Sequence, residues 1–303
     1  MKINVNKLYS LDGHIDCIYS LEGGLTDNFF YSASGDGMVV EWDLMDPESG
    51  TSVLQTKNSV YALHCRTEDN TLLAGQNFEG LHLIDLVSRQ EVGSMQVSKA
   101  QIFDIKSHGD RLYVASGDGC LYVIKYPDLA LIKKVKLADK SIRCIAINEA
   151  LGELAVGVSD NSIRVLDLDA QKQKYLINAH KLSVFSLVYN PVNNHLISAS
   201  RDAHIKSWNA YEHYALEHSV AAHLYAVNSL SISPERQYFV SGSMDKSVKV
   251  WELDSFKLLK VIDRSRHAGH ATSVNKVLWT GYKNQMLSCG DDKKISIWDL
   301  TFN

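Results

Sequence analysis

Residues 180–208 of the chain read HKLSVFSLVYNPVNNHLISASRDAHIKSW. Three short runs in this stretch, 183–189, 196–200 and 204–208, are rich in β-branched and aromatic residues, as β-strands are. Residues that favour turns separate these runs, namely Asn193-Asn194 and Asp202. The stretch therefore predicts three consecutive short strands, and it shows no helical period.

Four residues of this stretch recur elsewhere in the chain at a fixed spacing. Before Trp42, Trp208, Trp251 and Trp298, an Asp stands six residues earlier, a Ser ten earlier and a His twenty-eight earlier. The four sets are His14, Ser32, Asp36 and Trp42; His180, Ser198, Asp202 and Trp208; His223, Ser241, Asp245 and Trp251; and His270, Ser288, Asp292 and Trp298. Self-similarity at a fixed period indicates a repeat architecture.

Three further units fit between the first two Trp markers, with the Trp replaced by Ile84, Ile124 and Leu166. The seven markers follow one another at intervals of 40 to 47 residues, a period that suits a four-stranded blade. In the three intervening units we place Asn58, Ala100 and Lys140 at the His position, and Phe78 at the Asp position of the second unit. Packing alone is expected to hold these units, and residues 1–303 are predicted to form one domain.

Short dipeptides mark the hairpin between the second and third strands of several units. They are Asp36-Gly37, Asp118-Gly119 and Asp160-Asn161. Gly and Asn tolerate the positive φ of tight hairpins, so these dipeptides predict a two-residue turn.

The paired ends of four units resemble the WD-repeat family, and the resemblance extends over essentially the whole chain. The pairs are Gly13-His14 with Trp42-Asp43, Ala179-His180 with Trp208-Asn209, Ala222-His223 with Trp251-Glu252, and Gly269-His270 with Trp298-Asp299. The resemblance implies an all-β fold, a seven-bladed β-propeller of four-stranded antiparallel blades. It also implies that each Trp–Ser–His–Asp set is a structural hydrogen-bond network and not a catalytic site.

The chain ends predict how the ring closes. Only Asp299 to Asn303 follow the last Trp, which is too few residues for a fourth strand, whereas residues 4–11 precede the first repeat and have the length of a strand. We therefore expect residues 4–11 to form the outer strand of blade seven, which removes an open edge.

Composition narrows the class of protein. The chain has a formal charge of −4 and no apolar run of the roughly 20 residues that span a membrane, so neither nucleic acid nor a membrane is the favoured partner. The five cysteines, Cys17, Cys65, Cys120, Cys144 and Cys289, form an odd set without a Cys-x-x-Cys pair, which suits reduced thiols. We expect a cytoplasmic, monomeric protein without a metal or other cofactor.

The residue five after each His is expected to lie at the mouth of the central channel, on the face that the resemblance assigns to the His loop and the Asp turn. This ring reads Tyr19, Tyr61, Phe103, Arg143, Phe185, Asn228 and Asn275. The aromatics are either interface residues or packing between inner strands, while Arg143 requires water or a carboxylate partner. Further contacts on this face are expected from Arg201, Met244 and Asp291 beside the turn Asp residues, and from Arg264, Arg266 and His267 on an extended loop.

The predicted function is a non-enzymatic scaffold or adaptor that binds a protein or peptide at this mouth. Its predicted binding residues are Tyr19, Tyr61, Phe103, Arg143, Phe185, Arg201, Met244, Arg264 and Arg266. One alternative is phosphate or nucleic-acid binding through Arg143, Arg201, Arg264 and Arg266. The other is an enzyme in the channel, for which Asp16 and Asp104 are the nearest candidate acids.

Overall fold

A computed structural model describes residues 3–302 of the chain. Within these residues, twenty-eight β-strands form seven sheets of four strands, and neighbouring strands are antiparallel. The first strands of successive sheets contact one another, and the first strand of the seventh sheet contacts that of the first sheet, which closes a ring. The predicted seven-bladed β-propeller of antiparallel blades is confirmed.

The strands are numbered β1 to β28 in chain order. Blade 1 consists of β2 (Ile18–Gly23), β3 (Phe29–Ser34), β4 (Met38–Asp43) and β5 (Asp46–Gln55). Blade 2 consists of β6 (Val60–Arg66), β7 (Thr71–Gln76), β8 (Gly80–Asp85) and β9 (Gln90–Met95). Blade 3 consists of β10 (Ile102–His108), β11 (Arg111–Ser116), β12 (Cys120–Lys125) and β13 (Ala130–Lys136). Blade 4 consists of β14 (Ile142–Asn148), β15 (Glu153–Val158), β16 (Ser162–Asp167) and β17 (Gln173–Asn178).

The remaining blades follow the same plan, with one exception at the end. Blade 5 consists of β18 (Val184–Tyr189), β19 (Leu196–Ser200), β20 (His204–Asn209) and β21 (Ala215–Ala221). Blade 6 consists of β22 (Val227–Ile232), β23 (Tyr238–Ser243), β24 (Val248–Glu252) and β25 (Leu258–Ile262). Blade 7 combines β26 (Val274–Trp279), β27 (Met286–Gly290) and β28 (Ile295–Phe302) with β1 (Ile3–Leu11). The described helices are α1 (Arg264–His267) and the 3₁₀ turns Ala210–Glu212 and Tyr282–Asn284.

The first strand closes the ring as predicted. β1 pairs antiparallel with β28, from Ile3 opposite Phe302 to Leu11 opposite Ile295. The side chains of Ile3 and Leu11 are both buried. The outer edge of β28 is therefore paired by a strand from the other end of the described chain.

The core consists of apolar layers between neighbouring blades. Each layer draws residues from two adjacent sheets, as where Val240 of blade 6 packs with Val274 and Trp298 of blade 7. Every residue of β7 and of β15 is buried. Both faces of these strands are covered, which explains why residues 72–75 and 154–158 run apolar without alternation.

The hairpin between the second and third strands has three residues and not the predicted two. β3 ends at Ser34 and β4 begins at Met38. The N–H of Gly37 donates to the Ser34 carbonyl at 3.2 Å, and Gly37 itself has φ +79°. A turn followed by one left-handed residue is the usual three-residue hairpin. Gly suits this position because a Cβ atom on it would lie 2.4 Å from the Thr56 carbonyl oxygen.

The predicted His positions of units two to four were wrong by two residues. The first strands of blades 1, 5, 6 and 7 begin four residues after His14, His180, His223 and His270. Counting back four residues from β6, β10 and β14 gives Thr56, Ser98 and Ala138 instead of Asn58, Ala100 and Lys140. Equivalent backbone hydrogen bonds support Ala138 as the His position of blade 4. The N–H of Ala138 donates to the Gly119 carbonyl, as the N–H of His180 donates to the Asn161 carbonyl in blade 5.

Blades 2 to 4 are also not held by packing alone. Their turn and strand residues form hydrogen bonds that differ from blade to blade. These are Tyr122 to Asp118 at 2.6 Å, Arg164 to Asp160 at 2.9 Å, Ser98 with Ser116 at 3.1 Å, and His82 with Gln76 at 2.6 Å. Local polar contacts thus take the place of the repeated set in these blades.

Candidate functional site: the channel mouth

Four blades carry the same chain of hydrogen bonds. In each, the Trp indole N–H donates to the Ser hydroxyl at 2.8 Å, and that hydroxyl lies 2.7–2.8 Å from His Nε2. His Nδ1 lies 2.8–3.1 Å from the nearest Asp carboxylate oxygen. We refer to these sets as the tetrads. Each tetrad joins the loop before the first strand to the hairpin after the second strand, so both loops lie on one face of the disc.

Protonation of the tetrads follows from their burial. Burial lowers the pKa of His14, His180 and His223 more than the facing carboxylates raise it. Burial works to raise the pKa of Asp36 and Asp292, but hydrogen bonds and the facing imidazole outweigh it and lower the pKa. A neutral imidazole donates from Nδ1 to the carboxylate and accepts the Ser hydroxyl proton at Nε2.

The predicted ring residues meet at one recess on the tetrad face. The recess has a volume of about 640 Å³, and all seven ring residues line it together with Arg201, Met244 and Asp291. We call this recess the mouth. Its aromatic side chains, Tyr19, Tyr61, Phe103 and Phe185, are half-buried. They are therefore open to solvent on one side and are not core residues.

The aromatic residues form a continuous series around one side of the mouth. The rings of Tyr19 and Tyr61 meet edge to face, with centroids 4.4 Å apart. The rings of Tyr61 and Phe103 stack within 8° of parallel at 5.9 Å. Such contacts fix the ring orientations in advance, which lowers the entropic cost of binding a partner.

Arg143 continues this series with a charge. Its guanidinium carbon lies 3.9 Å from the ring centre of Phe103 and 5.1 Å from that of Phe185. Among residues 3–302 no carboxylate pairs with Arg143, and two aromatic rings contact the cation. Burial lowers the pKa of Arg143, and the nearby charge of Arg201 adds to this effect. A guanidinium keeps its charge at neutral pH even so.

Sequence reasoning missed Lys276 and two exposed residues beside the mouth. Lys276 follows the ring residue Asn275 directly and lines the mouth. Leu224 and Tyr225 follow His223 and are 84% and 61% exposed. Both precede Ala226, whose carbonyl accepts the N–H of Met244. Their positions were the available signal, because Lys276 follows a ring residue and Leu224 and Tyr225 are the two residues after the His of blade 6.

Arg264 and Arg266 do not belong to the mouth. They lie in α1, a single helical turn where the sequence predicted an extended loop, and α1 contacts β1 at the rim of blade 7. Asp263 caps this turn, and its carboxylate accepts from Arg266 Nε at 2.9 Å and Nη2 at 2.5 Å. Of the four arginines in the phosphate hypothesis, Arg143 and Arg201 therefore line the mouth, whereas Arg264 and Arg266 lie beside β1.

The repeat itself is recognised in comparison with known proteins. The family model for the WD domain, G-beta repeat, matches residues 5–43, 171–209, 215–252 and 261–299. The chain belongs to the WD40-repeat family. The four matched segments are those that carry the tetrads of blades 1, 5, 6 and 7 in this WD40 propeller.

Several curated proteins are similar to part of the WD40 chain. Periodic tryptophan protein 2 homolog of Mus musculus is 21% identical over 66% of this chain and 24% of its own length. The 66 kDa stress protein of Physarum polycephalum is 23% identical over 66% of this chain and 33% of its own length. Transcription factor unc-37 of Caenorhabditis elegans is 25% identical over 56% of this chain and 28% of its own length. The chain thus spans a third or less of these relatives.

A solved structure shares the WD40 fold over nearly its full length. The WD40 β-propeller domain of Doa1 aligns with a TM-score of 0.85 over 98% of this chain and 97% of that chain. The two sequences are 18% identical. This likeness shows the propeller fold alone.

Below the mouth, the WD40 channel contains a second polar group of residues. His64 Nε2 lies 2.7 Å from the Ser107 hydroxyl, and His64 Nδ1 lies 3.5 Å from Glu22 Oε1. Burial works to raise the pKa of Glu22, but the facing His64 and the charges of Lys106 and Lys276 lower it to about 2. Glu22, His64 and Ser107 belong to blades 1, 2 and 3, so these contacts link three adjacent blades.

The two candidate acids of the enzyme hypothesis are not paired with each other. Asp104 accepts the backbone N–H groups of Ile105 and Ile145 at 2.9 and 2.8 Å, and Asp16 accepts that of Cys17 at 2.7 Å. Among residues 3–302, no group of three His, Cys, Asp or Glu side chains could hold a metal ion. No helix in the same part of the chain is long and apolar enough to cross a membrane.

Proposed function

We propose that this WD40 propeller is a non-catalytic scaffold that holds a segment of a protein partner in the mouth. The partner-contacting residues are Tyr19, Tyr61, Phe103, Arg143, Phe185, Arg201 and Met244. Arg264 and Arg266 of the initial prediction are left out because they lie beside β1.

One observation supports the proposal above all others, namely the unbroken series Tyr19–Tyr61–Phe103–Arg143–Phe185 with one side open to solvent. Aromatic residues and Arg dominate the binding energy at protein interfaces when they sit in a central, well-packed recess. The inner strands of five blades hold these side chains, so the recess exists before a partner arrives.

The alternative functions have weaker support from the geometry. Phosphate-backbone binding would need a continuous basic surface, whereas Arg266 is paired with Asp263 away from the mouth. For catalysis, the tetrads offer no distinct site, since the same four-residue set is buried in four blades. We therefore assign the tetrads a structural role.

The cysteines and the closed ring support proposals about the compartment and the oligomeric state of the protein. All five cysteines are unpaired, with Cys120, Cys144 and Cys289 buried, which suits a reducing compartment such as the cytoplasm. We propose that residues 1–303 form one domain that is a monomer by itself, because the ring is closed by its own first strand.

The test is affinity capture from a lysate of the source organism with identification by mass spectrometry. The variant Tyr61→Ala, Phe103→Ala, Met244→Ala removes three exposed or half-buried side chains of the mouth and leaves its charges unchanged. We expect wild type to retain a protein that this variant loses, with at least a tenfold drop in recovery, as for removal of interface hot spots.

A matched control changes three exposed apolar side chains on the outer strands. The variant Val92→Ala, Leu131→Ala, Ile132→Ala removes three apolar side chains from blades 2 and 3, where these residues are 59%, 50% and 50% exposed. It should recover the same partner as wild type. Equal recovery by the mouth variant, with an unchanged circular dichroism spectrum, would show that the mouth does not bind the partner.

A further inference from the structure

The charges of the mouth are unbalanced. Arg143, Arg201 and Lys276 line it together with a single acid, Asp291. Asp291 already accepts a hydrogen bond from the Asn275 amide at 2.7 Å. None of the three cations has a carboxylate oxygen within 4.0 Å among the described residues, although the charge of Lys276 acts on Glu22 deeper in the channel. The mouth is therefore a cationic recess on a chain whose net charge is negative.

The setting of Arg143 determines which anion suits it. The ring centres of Phe103 and Phe185 lie 3.9 and 5.1 Å from the guanidinium carbon, and neither ring supplies an acceptor oxygen for the guanidinium N–H groups. These N–H groups form no hydrogen bond with an acceptor in residues 3–302. A planar row of donors matches the two oxygens of a carboxylate, and partial burial strengthens a charged hydrogen bond.

An apolar surface lies next to these cations. Leu224, Tyr225 and Met244, which we call the blade-6 shelf, are 84%, 61% and 56% exposed. Met244 belongs to both the shelf and the mouth. Large exposed side chains beside a recess are typical of interaction surfaces. The shelf therefore extends the recess with an apolar surface on the side of blade 6.

We infer that the mouth binds an acidic peptide segment in which an Asp or Glu carboxylate stands next to a large apolar side chain. The carboxylate pairs with Arg143 and Arg201, with Lys276 adding positive charge, and the apolar side chain packs on the blade-6 shelf. This inference rests on the proposed function and specifies the chemistry of its partner.

A carboxylate fits this half-buried, aromatic-lined recess better than a phosphoryl group. A phosphorylated residue carries nearly twice the charge of a carboxylate at neutral pH, so its net attraction to the charges of the mouth about doubles, whereas the cost of removing an ion from water grows with the square of its charge. An unmodified acidic segment is therefore the expected ligand.

The test selects peptides from a phage library of random dodecapeptides on the immobilised full chain. We expect the selected peptides to be enriched in Asp or Glu beside Leu, Ile, Met, Phe or Trp. Fluorescence anisotropy then compares each selected peptide with its counterpart in which Asp and Glu become Asn and Gln. The amide counterpart should bind about tenfold more weakly or worse.

Two single variants localise the effect. Arg143→Met keeps an unbranched side chain between the two rings and removes the charge, and it should weaken the acidic peptide about tenfold. The control, Arg236→Met, removes an exposed arginine from the turn between β22 and β23 on the opposite face, and it should change the affinity less than twofold.

The outcomes separate this inference from the proposed function. Neutral or basic peptides that lose binding in the Tyr61→Ala, Phe103→Ala, Met244→Ala variant would overturn the acidic ligand and leave the scaffold proposal standing. A phosphoserine peptide that binds more than tenfold tighter than its glutamate counterpart would also overturn the inference. Absence of selected peptides, or binding that no mouth variant affects, would contradict both proposals.

Discussion

Removal of residues 1–11 is expected to unfold the protein at room temperature. This deletion removes β1, the partner of β28 along the whole length of that strand, and with it the buried side chains of Ile3 and Leu11. It also uncovers Trp298 and Leu300, which are buried in blade 7. Each large apolar side chain contributes about 1.5–3 kcal/mol when buried, so the loss consumes most of the about 5–15 kcal/mol by which a domain is stable.

Circular dichroism and urea denaturation of the truncated chain measure this effect. The matched control is Leu8→Ala in the intact strand, because Leu8 is 40% exposed and should change the free energy of unfolding by no more than about 0.5 kcal/mol. A synthetic peptide of residues 1–14 should restore part of the structure of the truncated chain. A cooperative urea transition of the truncated chain at the wild-type midpoint would refute closure by β1.

The second large effect is expected from Asp245→Ala in the tetrad of blade 6. The Asp245 carboxylate accepts from His223 Nδ1 at 2.8 Å, the Leu224 N–H at 3.1 Å, the Ser247 N–H at 3.0 Å and the Ser247 hydroxyl at 2.6 Å. Without it, buried donors lose their acceptor, at about 1–3 kcal/mol each. We expect the free energy of unfolding at pH 7 to fall by about 2–4 kcal/mol, with the propeller still folded.

A control from the same blade distinguishes the tetrad from a general loss of negative charge. Asp254 is exposed, and its side chain makes no hydrogen bond within residues 3–302, so Asp254→Ala should leave the urea midpoint nearly unchanged. Equal stability of the two variants would show that the tetrad of blade 6 does not stabilise the fold.

The propeller and its tetrads were predictable because their signals are local. The intervals between His, Ser, Asp and Trp are set by strand and hairpin lengths within one blade, so the register could be counted directly from Trp208 or Trp251. The ring from Tyr19 to Asn275 followed from the same count. In the structure all of its members line one recess.

The wrong His positions arose where a blade lacks its markers. Without His, nothing in blades 2 to 4 fixes the position before the first strand, and the backbone hydrogen bond of Ala138 to Gly119 was needed to locate it. The replacement contacts, such as Tyr122 to Asp118, join residues whose pairing depends on the local strand geometry.

The contact of Arg143 with two aromatic rings could not be predicted from the sequence, because those rings belong to other blades. Phe103 and Phe185 lie in the two neighbouring blades, some 40 residues away on either side. Only the closed ring brings their faces onto the guanidinium. The capped turn of α1, in contrast, carried a local signal, since Asp263 is a favourable N-cap residue.

The central claim is that the partner lies on the mouth, and photocrosslinking in cells of the source organism tests it most directly. A photoreactive phenylalanine analogue is placed in the full chain at Met244, which lines the mouth, or at Arg236, on the opposite face. We predict that the Met244 position crosslinks to one partner protein and that the Arg236 position does not. Crosslinks from Arg236 alone, or from neither position, would contradict the account.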